Sequence, residues 1–515
     1  MAGPDVSRSL PAVVLGGGIA GLAAARLLQR HYQRVIVLER DQRPDVATPA
    51  DAFTRWERAG VPQFRHSHAF LARVRLVLLA HMPEVLDRLR AAGAREITLA
   101  ETAPPGVPVP ARPDDEDVVL LACRRATFEW ALRESVRARP GIVLREGAPV
   151  AGLEGIGRDG QRPTVTGVRL VDGEFIPAAL VVDASGRRSR APDWLAALGA
   201  PLPAERSVET GIFYYTRFYR RRRGRAPRGT TGLIAGDLKW VKVAVFPGDN
   251  DTFSITVGTP ADDVVLKRLF EVEHFEDFVR TFPALRPWRA RGASEPIGGD
   301  AAPVLVMGQL RNRLRRFVDR DGPLATGFVA IGDAAYHSNP IYGRGVACAL
   351  VQAALLDEAL ERHADDLRAV ALHLDRRSEA ELRPFWDAAA SADRRLVGGA
   401  RRFELTDPLA WLAGMAETAF GWFVDRGMVP AMRVDPVVFR GLMRVFNMLE
   451  PPEHLFRDPE VLARTLPVLA RVLRGDAPPE LFPVVPRARV LARLGWPDSR
   501  SPVDAPARVR GGRAS

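Results

Sequence analysis

Gly16-Gly17-Gly18-Ile19-Ala20-Gly21 lies between the apolar run Ala12 to Leu15 and a helix-like run from about Ala20 to Arg30. The spacing Gly16-x-Gly18-x-x-Gly21, with a strand before it and a helix after it, suits a pyrophosphate. The first glycine permits a tight turn, the second lets backbone approach the phosphates, and the third lets helix pack on strand. A helix N-terminus favours phosphate charge. Arg34 to Leu38 reads as the next buried strand, ending at Glu39, 23 residues after Gly16. That is close to the roughly 20 at which an acidic side chain meets a ribose hydroxyl. The pattern predicts dinucleotide binding, with a glycine-rich structural turn as the alternative.

Two further turns carry chemistry. Ile331-Gly332-Asp333-Ala334-Ala335 ends a strand-like run, Phe328 to Ile331, and precedes a long apolar helix pattern. Asp333 is either a helix N-cap or a carboxylate accepting hydrogen bonds from a ribityl chain. Beyond it, Pro340, Gly343 and Gly345 would let backbone approach a flat ring, near a helix N-terminus that favours negative charge. Asp183-Ala184-Ser185-Gly186-Arg187 follows the buried run Ala179 to Val182; Asp183 is a turn former or a cofactor ligand. The two glycine turns, in this order and far apart in sequence, point to one extended dinucleotide across one large domain, and FAD is the best candidate.

The elements that must position these residues read as α/β. Helices are expected at about 69–79, 83–92 and 126–137, with a strand at 118–122 and loops at Pro44 to Pro62 and Pro104 to Pro113. Short strands fill 142–182. Gly211 to Phe218, Trp240 to Phe246 and Thr252 to Val257 predict an inserted antiparallel sheet. Helix patterns dominate from Val346 to about Leu473. The expected domains are 10–204 and 306–370 for a Rossmann-like FAD-binding domain, 205–305 for a substrate-binding sheet, 371–498 for a C-terminal helical region, and 499–515 for a disordered tail.

The bulk numbers narrow the class. Hydrophobic residues at 47% and charged residues at 26% are an ordinary globular balance. The net charge of +11 permits nucleic acid, anionic membrane or acidic ligands as partners. An arginine-rich soluble surface is the preferred reading, with no nucleic-acid partner, and Arg220 to Arg223 with Arg225 and Arg228 reads as a solvated loop. Only two cysteines occur, Cys123 and Cys348, so a reducing, cytoplasmic compartment is expected. The glycines at 16–18 argue against reading Ala12 to Ala25 as a secretory h-region.

Taken together, the Gly16/Gly18/Gly21 trio, Asp183-Ala184-Ser185-Gly186 and Gly332-Asp333-Ala334 with Pro340 and Gly345 resemble the FAD-dependent monooxygenases of the para-hydroxybenzoate hydroxylase type. That superfamily also holds flavin halogenases and geranylgeranyl reductases. Gly60-Val61-Pro62-Gln63-Phe64-Arg65-His66-Ser67-His68 looks like the Gly-Val-Pro-Gln-x-x-His-x-His segment of bacterial flavin epoxidases acting on polyketide (polyether-type) polyenes. Tyr215 to Arg220 and Asn339 to Gly345 look like segments of the same group. The resemblance covers residues 10 to 350 and implies a GR2-type FAD fold. Gly16, Gly18, Gly21, Glu39 and Arg40 would hold the ADP half of FAD, and Arg125 would reach phosphate or ribitol. Asp333 would bind the ribityl and pyrophosphate region, and Pro340, Gly343 and Gly345 would flank the ring. Asp183 and Gly186 match a turn serving FAD and a transient nicotinamide, although the family's aromatic hydroxylases carry a tighter Asp-Gly there.

The implied reaction is oxygen transfer from a flavin C4a-hydroperoxide, formed with O2, to an apolar polyene, polyketide or terpenoid, by epoxidation or hydroxylation. NAD(P)H, or a separate flavin reductase, would supply electrons. His66 and His68 would line the cofactor or its entry, or are ordinary loop histidines; no third metal ligand is evident. Tyr215, Arg217 and Trp240 are the substrate-side residues, although aromatic side chains there also read as sheet core facing a cavity. A geranylgeranyl-type reductase is the main rival. A halogenase ranks below it: no Gly-Trp-x-Trp-x-Ile-Pro segment occurs, and Lys239, Lys242 and Lys267 are the only lysines. A non-catalytic FAD-binding protein is the reading from another class. Trp411, Leu412, Phe420, Trp422, Phe423, Phe439, Leu442 and Phe446 read as packed helices, with peripheral membrane contact the less favoured option.

Overall fold

The structure, a computed structural model, describes residues 10–157, 161–222, 234–290, 292–364, 366–398 and 418–498. The leader, Arg223, Arg225, Arg228, Trp411, Leu412 and the 499–515 tail fall outside the described residues. Two units are present. The first comprises residues up to Thr210, Gly248–Asn250 and Arg311–Pro479; the second comprises Gly211–Pro247, Asp251–Leu310 and the chain from Glu480. The expected C-terminal helical region is therefore divided, with 371–479 in the first unit and the stretch from 480 in the second.

The first unit is built on β1 (Ala12–Leu15), α1 (Ile19–Leu28), β2 (Val35–Glu39), α2 (Pro49–Arg55), α3 (Arg125–Arg137), β3 (Ile142–Glu146), β4 (Leu180–Asp183), β5 (Phe328–Ala330), α4 (Gly345–His363) and α5 (Leu367–Gly398). The strands form one parallel sheet in the order β5-β4-β1-β2-β3. β1, β4 and β5 are buried along their whole length, as expected of parallel strands covered on both faces. Val14 pairs with Val37 on one side and Val182 on the other. Leu15 stands opposite Leu38 and Asp183, and Asp183 opposite Ala330. This register brings the turns after β1, β2, β4 and β5 to one edge of the sheet, where α/β sheets bind ligands.

One expected loop contains a helix. Thr48 caps α2, its Oγ1 accepting the Asp51 N–H at 3.2 Å, and Pro49 opens the helix. A threonine cap followed by proline is a helix start signal; the flanking prolines and polar residues obscured it. The helix expected from 69 begins at Ala72.

In the second unit, Ile234–Asp237, Lys242–Pro247, Thr252–Pro260, Ile212–Arg221 and Ser294–Pro296 form an antiparallel sheet in that order, and Leu305–Met307 also pairs with Ile212–Arg221. Its core joins Val243, Val245, Phe253 and Ile255 to Phe275 and Phe278 of the helix Val272–Thr281. Phe482, Val490, Leu491 and Trp496 complete it. Among the described residues no helix is long and apolar enough to cross a membrane. Phe439 is buried, whereas Phe420 and Trp422 are exposed.

Candidate functional site

The three glycines of the first turn answer to different constraints. Gly16 has φ +101°, and a Cβ there would lie 2.6 Å from the Ala184 carbonyl oxygen. A Cβ on Gly21 would lie 1.9 Å from the Gly16 oxygen. At Gly18 an added Cβ meets nothing within 4 Å, so no protein atom requires glycine there. Gly18 is also the N-cap of α1, without a side-chain cap and without an acidic residue in the first turn. The opening N–H groups of α1 thus have no side-chain cap, and an uncapped helix terminus is suited to receive an anion.

Glu39 is 5% exposed, and both its oxygens are engaged. Oε2 accepts the Gly17 N–H at 2.9 Å and Nη2 of Arg58 at 2.7 Å, and Oε1 accepts the Asp41 N–H at 2.9 Å. Arg58 also pairs with Asp41 and with Glu129 of α3. Burial works against the Arg58 charge, but Glu129, Glu39 and Asp41 outweigh it and hold its pKa above the usual value. Arg133 donates to the Gly17 carbonyl at 2.8 Å and pairs with Glu146 at 2.6 Å. The Arg58, Arg133 and Arg43 guanidiniums lie 4.9, 4.8 and 5.6 Å from the Trp56 ring centroid, within cation–π range. Arg40 is half exposed beside Gly60. Trp56, Arg58 and Arg133 were not anticipated. The spacing of Arg125, Glu129 and Arg133, one turn apart on α3, was the available signal.

At the second turn a Cβ on Gly332 would sit 2.9 Å from that of Ala20, so the start of α1 and this turn are neighbours. Gly332 donates its N–H to Gln352 Oε1 at 2.7 Å. Asp333 Oδ1 lies 3.8 Å from His337 Nδ1 and, at the same distance, from where a Cβ on Gly345 would be. α4 begins there with no side-chain cap and no acidic first-turn residue. Arg125, at the start of α3, feels the Asp333 charge. Its Nη1 lies 3.4 Å from His68 Nε2, its Nη2 lies 3.4 Å from Glu129 Oε2, and its Nε is buried without a partner. His68 Nδ1 lies 2.9 Å from the His66 carbonyl. A carbonyl only accepts, so Nδ1 carries the proton and Nε2 accepts from Arg125. Burial first, and Arg125 second, push the His68 pKa down to about 3; burial and Arg187 push that of His66 down to about 4. Both imidazoles are neutral at ordinary pH. The structure thus gathers His66, His68, Arg125, Asp333 and Gly345 at one edge of the sheet.

Asp183 is spent on its own turn: Oδ1 accepts the N–H and hydroxyl of Ser185, and Oδ2 accepts the Ser189 hydroxyl. Burial raises its pKa, against the hydrogen bonds of Ser185 and Ser189. Gly186, with φ +84°, opens the short 3-10 turn Gly186–Arg188. Pro340 begins the short turn Pro340–Tyr342, closed by Gly343 in the left-handed region. Asp393 of α5, fully buried, accepts Nδ2 of Asn339 at 3.0 Å, Nδ2 of Asn312 at 2.6 Å and the Tyr342 hydroxyl at 3.1 Å. Asn312 and Asp393 carry no motif, and nothing in the sequence singled them out.

The three expected substrate residues lie in the core of the second unit. Arg217 pairs with Glu276 and donates to the Asp300 carbonyl. Trp240 packs on Phe278 and Phe282 and donates Nε1 to the Val485 carbonyl at 3.0 Å. Tyr215 is buried, which pushes its phenol up to about 12. All three side chains are buried within that unit, Arg217 and Trp240 on polar partners of their own.

Residues 14–71 match the family described as NAD(P)-binding Rossmann-like domain. Protein Rv3254 of Mycobacterium tuberculosis is 28% identical over 488 residues, covering 90% of this chain and 93% of its own length. Two solved structures superpose over most of the chain. One is p-nitrophenol 4-monooxygenase PnpA from Pseudomonas putida DLL-E4, with TM-score 0.56, 17% identity, 86% of this chain and 98% of that one. The other is CmlS, a flavin-dependent halogenase, with TM-score 0.55, 18% identity, 82% of this chain and 72% of that one. The fold is shared with both. The Rossmann-like parallel sheet accompanied by antiparallel sheets therefore stands as expected from the sequence.

Proposed function

We propose that this chain binds FAD and works as a monooxygenase. The observation that carries the proposal is the pairing of two turns at one sheet edge: the Gly16–Gly21 turn with its clear α1 N-terminus, and the Gly332–Gly345 segment with a second uncapped helix start. An elongated dinucleotide with two phosphates and a polyol suits that layout. The residues fit the group: Gly18 leaves a cradle that a Cβ would fill, and Arg125 Nε, His337 Nδ1 and Ser338 Oγ are buried without partners. The name of CmlS favours a flavin, and that of PnpA favours oxygen transfer.

In this reading Gly17 to Ala20 present backbone to the pyrophosphate. Glu39, fixed by Arg58, holds the turn and offers the adenosine ribose a carboxylate. Arg125, aimed by the neutral His68, and Asp333 take the central part of the cofactor. Asp393 sets the turn of Pro340 and Gly343, against which a flat ring would lie. FAD supplies redox chemistry with O2 when bound; the protein binds, orients and excludes water. The finer expectation, epoxidation or hydroxylation of an apolar polyene, polyketide or terpenoid, rests on the resemblance of residues 60–68, 215–220 and 339–345, and NAD(P)H as electron source on that of the turn Asp183 to Gly186.

The test is stopped-flow absorbance of protein loaded with FAD, reduced anaerobically and mixed with O2. A transient distinct from reduced and oxidised flavin is expected. Direct return to oxidised flavin would move weight to a reductase, and failure to take up FAD would overturn the proposal.

A further inference from the structure

Arg125 opens α3, so its place depends on how that helix begins. The residue before it, Arg124, occupies the N-cap position with extended backbone, φ −67° and ψ 147°. α3 has no side-chain cap of its own and no acidic residue in its first turn. In a capping box the third helical residue, glutamate or glutamine, turns back to accept the N–H of the N-cap residue; here that residue is Thr127. A carboxylate from far along the chain takes the N–H instead. Asp249 Oδ1 accepts it at 2.8 Å.

The same carboxylate holds the Arg124 side chain. Nε of Arg124 donates to Oδ1 at 3.1 Å and Nη2 donates to Oδ2 at 2.5 Å. The Arg124 guanidinium also lies 5.0 Å from the ring centroid of Phe53 on α2. Asp249 is fully buried and Arg124 is 3% exposed. Burial works against the Asp249 charge, but Arg124 outweighs it and holds the carboxyl below its usual pKa. Charge-assisted bonds of this kind, two of them from one guanidinium fork, fix geometry as well as adding energy.

Asp249 is itself held. Gly248–Asn250 belongs to the first unit, although the strands on either side of it, Lys242–Pro247 and Thr252–Pro260, belong to the second. Asn250 donates Nδ2 to the Ala92 carbonyl at 2.8 Å, and a Cβ on Gly93 would lie 2.4 Å from Asn250 Oδ1. Asn250 and Asp251 have φ +51° and +59°, a left-handed pair that persists only where its surroundings over-determine it.

We propose that Asp249 is a positioning residue of the cofactor site: by holding the backbone and side chain of Arg124 it fixes the first turn of α3 and so aims Arg125. The proposal rests on the flavin reading, in which Arg125 touches the cofactor. Without the carboxylate, the Arg124 N–H and guanidinium are released together, and α3 loses the fixed point from which Arg125 projects.

The experiment is a double-mutant cycle on FAD affinity, read by fluorescence titration of the full chain stripped of flavin. Asp249→Ala is expected to raise the Kd about tenfold or more, and Asp249→Asn, which keeps one acceptor oxygen for the N–H, by less. Because Asp249 acts through Arg125, Asp249→Ala combined with Arg125→Gln should stay within about twofold of Arg125→Gln alone. Asp115→Asn, which breaks the ion pair with Arg440, is the control; it should lower stability and leave the Kd unchanged. A second readout needs no flavin. Arg125 Nη1 lies against His68 Nε2, so the His68 ring resonances, assigned by their loss in His68→Gln, should move in Asp249→Ala and stay in Asp115→Asn. Kd effects that multiply in the double variant, an equal Kd effect in Asp115→Asn, or unmoved His68 resonances in Asp249→Ala overturn the proposal. A parent that takes up no FAD counts against the flavin reading, and the His68 resonances then decide the positioning alone. If Asp249→Ala does not fold, Asp249→Asn carries both readouts with the same signs.

Discussion

The carboxylate of Glu39 accepts the backbone N–H of Gly17 at 2.9 Å and is held in place by Arg58 at 2.7 Å. The acidic residue at the end of β2 is therefore part of the glycine turn itself. Replacing Arg58 by Met strands Glu39, Asp41 and Glu129 in a buried setting. Breaking a buried pair by removing one partner costs about 3–5 kcal/mol, so chemical denaturation should show a loss of that order. Arg58→Lys, which keeps the charge but not the fork, should lose less.

Gly18 and Gly21 separate folding from ligand binding. Gly21→Ala places a Cβ 1.9 Å from the Gly16 oxygen, so α1 must shift and stability must fall. Gly18→Ala meets no protein atom within 4 Å and should change stability by no more than about 0.5 kcal/mol. The same substitution should weaken FAD at least tenfold in a fluorescence titration, because the added methyl enters the space kept for phosphate. Unchanged FAD affinity in Gly18→Ala would count against the cradle.

His66 and His68 give the stability a defined pH dependence. Their folded pKa values, about 4 and about 3, lie below the ordinary 6.5. Between these limits the unfolded chain binds more protons than the folded one, so stability is full above pH 6.5 and declines as pH falls through that window. The slope is at most about 1.4 kcal/mol per pH unit for each histidine. Urea unfolding between pH 7 and pH 4 should show it, and His66→Gln should remove one histidine's share.

Asp393 gathers three donors from three places in the sequence: Asn312, Asn339 and Tyr342. Asp393→Ala removes the acceptor of Asn312 Nδ2, which is fully buried, at about 1–3 kcal/mol for a buried group left without a partner. The melting temperature should drop, and because the turn at Pro340 loses its anchor, the visible spectrum of bound FAD should change as well. Asp393→Asn, which keeps one acceptor oxygen, should lie between the parent and the alanine variant.

Gly16 and Gly21 were legible because each answers to a local requirement, a left-handed φ or a close backbone approach, that few residue types meet; the parallel strands were legible as continuous apolar runs, and Glu39 as the acidic end of one. The inserted sheet was legible from its alternating pattern, as in Lys242–Pro247, where Val243, Val245 and Pro247 point to one face. Arg58, Asn312 and Asp393 were not legible, since each acts through a partner far away in sequence. The partners of Trp240 and Arg217, Val485 and Glu276, were not legible either, for the same reason.

The interleaved core of the second unit has a consequence for synthesis. Phe482 covers Gly236, the Trp240 indole is capped by Val485, and Asp263 waits for Arg487. A ribosome delivers Gly211 to Leu310 long before these partners. Until residues 480 to 498 emerge, the sheet must carry an uncovered aromatic face, at the stage when a nascent chain is most prone to aggregate. Premature termination near Pro479 would thus leave the first unit with all of its own residues and the second without its cover.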